Sequence, residues 1–521
     1  MLPKPPFACD LSSEDELAIF DNLKPRLDGV WDALTDCDER TYTSVVIPSM
    51  TLDQRELRKL VGAPFYEERL LLLLIRLRNP RAHMVYVTSQ PVHPMILEYY
   101  LNLLTGVPAS HARARLTMLS AHDSSPRSLT EKILERPRLI QRIRWAIQDP
   151  SRAYMTVFNS TPLERKLSVL LGVPLNGLDP KLSYLGTKSG SRKVFREAGV
   201  NLPAGAEDLK SESDVVDALI DLRNLRPGVR RAVVKLNDSF SGEGNAVFTF
   251  PGSPSRDAIH EALQHVSICA PDQTPRAYLD EFNTMGGIVE EFIDAAEKHS
   301  PSTQFRTSPG GDVVLISTHD QILGGPSGQV YLGCRFPAND AYRVELQEAG
   351  TRVGRVLAAH DVVSRFGVDF LAYRNSPEQP WALAALEINL RVVGTTHPFL
   401  ALKFLSGGRL DAASGLFYSL GGRAKYYIAT DNLKSEAYRG LLPEDLVDIL
   451  TVHELHYDHR TESGVLFYLI GAMSEHGKLG MTAIANSHEE AQALYTHTLA
   501  VLDREAAVGR VVTPREPAPL E

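Results

Sequence analysis

Between residues 43 and 178, short β-branched or aromatic runs alternate with longer helical patterns, and that alternation leaves few folds open. Residues 43–49, 83–89, 116–121 and 154–159 read as strands; 66–78, 94–104, 129–146 and 162–171 read as helices. A helix that crosses from one strand to the next returns the chain in the same direction, so the expected product is a parallel, doubly wound sheet. No Gly-x-Gly-x-x-Gly follows any of these strands, so the Rossmann-like unit is expected to carry no dinucleotide of its own.

The pattern changes after residue 180. Strands at 229–236 and 245–250 flank a polar, glycine-bearing loop, 237–244. Further strands are expected at 287–293, 313–318, 367–373 and 381–390, with a long helix at 341–366. A last α/β segment runs over 425–507, with an apolar strand at 464–473 and a helix at 487–506. The fold class expected is therefore mixed α/β and α+β. At 521 residues the chain is too long for one core.

Composition serves mainly to exclude. Hydrophobic residues at 43% and charged residues at 23% are ordinary for a globular protein and rule out a disordered chain. With 55 basic and 64 acidic residues the net charge is −9, which argues against a nucleic-acid partner or an anionic membrane surface. Cys9, Cys37, Cys269 and Cys334 are scattered and form no Cys-x-x-Cys pair, so neither a disulfide framework nor a zinc ribbon is expected. The apolar stretches at 70–75 and 464–473 fall short of the ~20 residues that span a bilayer. A reduced cytoplasmic protein without a signal peptide is the expectation.

Chemistry concentrates in a few phrases. In Ala385-Leu-Glu-Ile-Asn-Leu-Arg391, alternate residues of a strand share a face, so Glu387, Asn389 and Arg391 point together while Leu386, Ile388 and Leu390 point into a core. A carboxylate, an amide oxygen and a guanidinium suit magnesium and phosphate; an ordinary solvated strand face with one ion pair has the same pattern. A hairpin through 374–380 would bring Asp369 beside Glu387. Lys235 ends a strand before the Ser239–Gly244 loop, whose glycines let N–H groups approach a polyphosphate; a plain hairpin turn reads identically. Lys188 lies near the N-terminus of a helix that ends near Gly199, a favourable place for an anion and equally for a capped surface helix. Ile288-Val-Glu-Glu-Phe-Ile293 is an apolar strand with two acids, followed by Glu297; a hinge whose backbone reads an adenine edge and an ordinary strand both fit. His319, Asp320 and Arg335, beside the glycine-rich 324–333 loop, are candidates for an acceptor site. His453-Glu-Leu-His456 lacks the spacing of a zinc protease and reads as a polar loop, with Asp458 and His459 the partners a metal cluster would need.

Taken in order, these phrases resemble the ATP-grasp superfamily over residues 180–405. More narrowly the chain resembles the pheganomycin-type peptide ligases, which carry a pre-ATP-grasp N-terminal domain. Tyr66-Glu-Glu-Arg69, Thr88-Ser-Gln-Pro-Val-His-Pro94, Leu185-Gly-Thr-Lys-Ser-Gly-Ser-Arg192, Phe240-Ser-Gly-Glu-Gly-Asn245, His319-Asp-Gln-Ile-Leu-Gly-Gly325 and Gly477-Lys-Leu-Gly480 carry that likeness. The resemblance implies a pre-ATP-grasp domain (1–178), ATP-grasp lobes (179–286 and 287–415), a C-terminal extension (416–507) and a flexible tail (508–521). It implies that Lys188 and Lys235 touch ATP phosphates under a loop containing Ser239, Ser241, Gly242 and Gly244. Glu290, Glu291, Phe292 and Ile293 would border adenine, and Glu297 would bind ribose. Asp369, Glu387 and Asn389 would hold Mg2+, with Arg391 steadying the transferring phosphoryl group; Arg335 is expected to act on the acceptor only if its loop is more than a solvated one. The implied reaction is ATP-dependent ligation of small-molecule carboxylate and amine substrates through an acyl phosphate. A non-amine acceptor and a non-catalytic nucleotide-binding module stay open beside it, as does a homo-oligomer.

Overall fold

The computed structural model describes residues 11–34, 40–239, 244–252, 255–270, 273–324 and 330–508. Ser241, Gly242, Gly325, Cys9, Cys37 and the 509–521 tail lie outside the described residues. The first sheet is parallel throughout. Its strands β1 (Tyr42–Ile47), β2 (Ala82–Thr88), β3 (Leu116–Ser120), β4 (Ala153–Val157) and β5 (Leu175–Asn176) lie in the order β3-β2-β1-β4-β5. Its side chains alternate between two cores, as the pleat requires: Val45, Ile47, Val85 and Val87 enter one, Val46, Met84 and Tyr86 the other. The two-residue β5 carries too little pattern to be anticipated.

Two of the helices expected around this sheet differ. The 129–146 stretch is two helices, Leu129–Leu134 and Pro137–Ala146, because Pro137 has no N–H to continue the first and sits naturally at the start of the second. The leucine-rich stretch Ala63–Arg78 is wound as a 3₁₀ helix rather than an α-helix and is buried nearly all round.

The second sheet, antiparallel, runs β6-β10-β7-β8-β9: β6 (Gly205–Leu209), β7 (Arg231–Leu236), β8 (Asn245–Thr249), β9 (Ser267–Ile268) and β10 (Gly287–Glu291). Helices Glu212–Leu225, Arg256–Leu263 and Pro275–Met285 contribute to its core.

The third sheet holds eleven strands among the described residues. They are β11 (Glu297–His299), β12 (Pro301–Thr307), β13 (Val313–Gly324), β14 (Val330–Phe336), β15 (Arg365–Arg374), β16 (Ala382–Asn389), β17 (Arg409–Leu410), β18 (Phe417–Tyr418), β19 (Ala424–Lys434), β20 (Gly464–Tyr468) and β21 (Lys478–Ala485). Helix Arg343–Ala359 packs on β12 and β13 and stops before the expected 366, since Asp361 turns to φ 59° and 365 onward is strand. The expected strand at 464–473 is β20 followed by a short helix, Gly471–His476. One large core joins Leu70–Leu74 and Tyr100 to Phe399, Phe467, Leu479 and Ile484, so elements near both chain ends share it. No helix among the described residues is long and apolar enough to cross a membrane.

Candidate active site

Helix Lys188–Glu197 starts where the Thr187 hydroxyl accepts from the Gly190 N–H at 3.0 Å, which leaves Lys188 as its first residue. The Lys188 N–H donates to the Asn237 carbonyl at 3.1 Å, and the Ser189 N–H to Asn237 Oδ1 at 3.0 Å. The helix start is thus tied to the end of β7, and two lysines remote in sequence enter one cleft of about 1060 Å³. Lys188 Nζ is ion-paired with Glu387, and Lys235 Nζ with the buried Glu290. Arg192 Nη1 reaches the other oxygen of Glu290 at 3.3 Å, so one carboxylate serves two cations. Ser239 lines the cleft, and Gly244 comes so close to it that a Cβ there would lie 2.2 Å from the Ser239 Cβ.

Glu290, Glu291, Phe292 and Ile293 form one wall. The N–H groups of Glu291 and Phe292 already donate, to the Ala204 carbonyl at 2.8 Å and the Arg231 carbonyl at 3.1 Å. Phe292 lies 3.9 Å from the Arg231 guanidinium and 4.9 Å from Lys298 Nζ, ring centre to cation. Glu297 is engaged elsewhere: Arg374 Nη2 and Nε meet its carboxylate at 2.6 and 2.8 Å, while its neighbours Lys298 and His299 line the cleft.

Across the cleft, β15 and β16 form the expected hairpin with Asp369 directly opposite Glu387. The register slips between Asp369 and Phe370, and Leu386 is the extra residue; it therefore lines the cleft instead of entering the core, whereas Ile388 and Leu390 are buried as expected. Asn389 Nδ2 donates to Asp369 Oδ2 at 3.1 Å and to Glu387 Oε1 at 3.0 Å, and Arg391 Nη2 donates to Asn389 Oδ1 at 2.9 Å. Gln321 Nε2 holds Asp369 Oδ1 at 2.7 Å, a contact that nothing in the sequence announced. Burial and the neighbouring Glu387 push the Asp369 pKa up. At Glu387 burial acts the same way, but Lys188, Lys235 and Asn389 together outweigh it and hold that carboxylate below its usual range.

The acceptor-site candidates separate. His319 turns to the core, where its Nε2 lies 2.6 Å from the Tyr427 hydroxyl and burial lowers its pKa to about 3. Asp320 lines the cleft and accepts from the Tyr342 hydroxyl at 2.6 Å; Arg335 lies at the exposed rim, donating to Gln492 Oε1 at 3.1 Å. His453 pairs with Glu505 at 2.9 Å, and no group of three or more His, Cys, Asp or Glu side chains suited to a metal exists among the described residues. The sequence assigned no role to several other cleft residues: Phe158, Ser302, Thr303, Asp431 and Lys434. They come from β12, from β19 and from the residue after β4, segments far apart in the chain, so no single local spacing links them.

A family model described as IQCH-like, ATP-grasp matches residues 180–258 and 262–413, and one described as PGM1 C-terminal domain matches 445–498. The chain is 32% identical over 457 residues to an L-propargylglycine–L-glutamate ligase of Streptantibioticus cattleyicolor, covering 86% of this chain and 92% of that one. The chain belongs to the ATP-grasp ligases. This ATP-grasp ligase is also 26% identical over 392 residues to an IQ motif-containing protein H of Danio rerio, which spans 66% of this chain and 37% of the relative. Among solved structures, a biotin carboxylase from Campylobacter jejuni shares the fold at TM-score 0.53 with 12% identity, covering 91% of this chain and 95% of that one.

Proposed function

We propose that the protein joins a carboxylate to an amine at the expense of ATP, through an acyl phosphate, releasing ADP and phosphate. The observation that carries the reading is the convergence of Lys188, Lys235, Asp369, Glu387, Asn389 and Arg391 on one cleft from separate elements. Two buried lysines offer point charges to a polyphosphate, and the carboxylates that hold them define where phosphate oxygens would be exchanged in.

Magnesium fits the donor set. Asp369 and Glu387 face each other with one amide nitrogen bridging them, and burial together with the neighbouring Glu387 pushes the Asp369 pKa up. Two carboxylates and the amide oxygen of Asn389, once its side chain turns, are hard oxygen ligands that leave positions for phosphate. A cation there would neutralise the charge that develops between the phosphates. Lys188, released from Glu387, would be free to meet the nucleotide, and Arg391, anchored on Asn389, would hold the transferring phosphoryl group. Glu291, Phe292, Ile293 and Leu386 provide the apolar and main-chain edge for adenine. Glu297 serves ribose only if it leaves Arg374.

The substrates named for the Streptantibioticus relative are amino acids, which supports amino acids as the acid and the amine here. The test is magnesium–ATP with mixed amino-acid pools, phosphate release followed and products read by mass spectrometry. Amine-dependent phosphate release with a condensed product is expected, and hydroxylamine should trap a hydroxamate. The absence of both phosphate release and product on such a panel would sink the reading.

A further inference from the structure

Two phrases that stand out in the sequence, Tyr66-Glu-Glu-Arg69 and Gly477-Lys-Leu-Gly480, have no part in the phosphate half of the cleft, yet the fold joins them. Lys478 Nζ donates to the Tyr66 hydroxyl and stands 4.7 Å from its ring centre. The Arg69 guanidinium lies 4.4 Å from the Tyr66 ring and 5.0 Å from that of Phe158. Its Nη1 meets Asp431 Oδ2 at 3.2 Å, its Nη2 lies 3.3 Å from Met50 Sδ, and its Nε is buried without a partner. All of Tyr66, Arg69, Phe158, Asp431 and Lys478 line the cleft.

Asp431 reaches this place through a break in the ladder. Thr430 pairs with Met481 and Leu433 with Leu479, so Asp431 and Asn432 together oppose Gly480. A bulge of that kind re-aims side chains and tends to occur beside active sites. The result is two buried cations against one carboxylate in the cleft wall, a net positive charge that is costly until an anion arrives. Burial lowers the Lys478 pKa to about 8, with Asp431 opposing, as expected of an ammonium stripped of water. The cation and the anion also stand side by side, as do the two charged groups on one α-carbon. Phe158 lies 5.9 Å from the Arg391 guanidinium as well, so the cluster adjoins the reacting end of the cleft.

We propose that Arg69, Lys478 and Asp431 form the amino-acid subsite of this cleft, the two cations taking a substrate's α-carboxylate and Asp431 its α-ammonium. The proposal rests on the ligase reading and adds the charges that the substrate must present. Calorimetry on the full chain with magnesium–ADP would rank the twenty proteinogenic L-amino acids. The best binder is then compared with its des-amino acid and its α-carboxamide. Each analogue should bind the wild type at least tenfold more weakly. Asp431→Asn should reduce the penalty for losing the amine to within twofold and keep the penalty for the amide; Arg69→Gln and Lys478→Met should do the reverse. The subsite is overturned if no amino acid binds, if either analogue matches the parent, or if the variants weaken all three ligands alike. Should the variants misfold, the wild-type series decides alone. Phosphate release without these preferences would leave ligation standing and remove the subsite; the preferences without any phosphate release would do the opposite.

Discussion

Glu387 holds Lys188 on one side and accepts from Asn389 on the other, so it couples the lysine proposed to meet phosphate to the candidate metal site. Glu387→Gln keeps the shape and removes the charge. ADP formation should fall at least ~100-fold, as for loss of a principal electrostatic stabiliser, and a fall under tenfold in a coupled ADP assay would remove Glu387 from the centre. Arg391 is anchored through Nη2 to Asn389 and through Nη1 to the Val392 carbonyl at 3.2 Å, a planar arrangement that an ammonium cannot copy. Arg391→Lys should lower kcat by about 10²-fold with the KM for ATP little changed, measured by steady-state kinetics. At this scale the sequence was most informative where strand alternation fixes direction: Glu387, Asn389 and Asp369 do meet. It was silent on Gln321 and Asp431, whose positions depend on pairing partners and on bulges that no period of two reveals.

Helix Arg343–Ala359 lies on β12 and β13 through two glycines a turn apart. A Cβ at Gly350 would fall 2.4 Å from the Phe305 ring and 2.9 Å from Thr303 Oγ1, and one at Gly354 2.5 Å from Val313 Cγ1. Close packing of the helix therefore needs glycine despite its weak helix propensity. Gly350→Ala should destabilise by about 1–3 kcal/mol in denaturant unfolding, and Phe305→Leu in the same chain should recover part of the loss. Elements with strong caps or breakers were legible: Gly199, at φ 61°, follows the Lys188 helix as expected. The 129–146 stretch also contained its own correction in Pro137, whose effect the apolar periodicity hid. The strands β5, β17 and β18 have two residues each, too few to carry any period.

Elements near the two ends of the described chain are packed into one another. The Tyr100 hydroxyl donates to the Phe467 carbonyl at 3.2 Å, and the Gly471 N–H donates to the buried Glu68 carboxylate at 3.1 Å. Burial raises the Glu68 pKa to about 7, with the Gly471 N–H opposing and Glu67 adding to the rise. A carboxyl raised in the folded state contributes most below its unfolded pKa, near 4.3, and loses that contribution as pH climbs through 7. Glu68→Gln should therefore gain stability over the wild type progressively from pH 4.5 to 7, reaching about 2–4 °C in Tm at pH 8, with little difference at pH 4.5 in thermal unfolding. Such end-to-end packing was out of reach of a residue-by-residue reading, because its partners lie hundreds of positions apart. The bulge at Asp431–Asn432 separates what the strand holds together from what it presents to the cleft. A ladder can gain or shed one residue at such a point while every pair beyond it stays in step. Side chains at Asp431 and Asn432 can therefore be replaced to reshape the cleft wall while the paired residues on either side keep their partners.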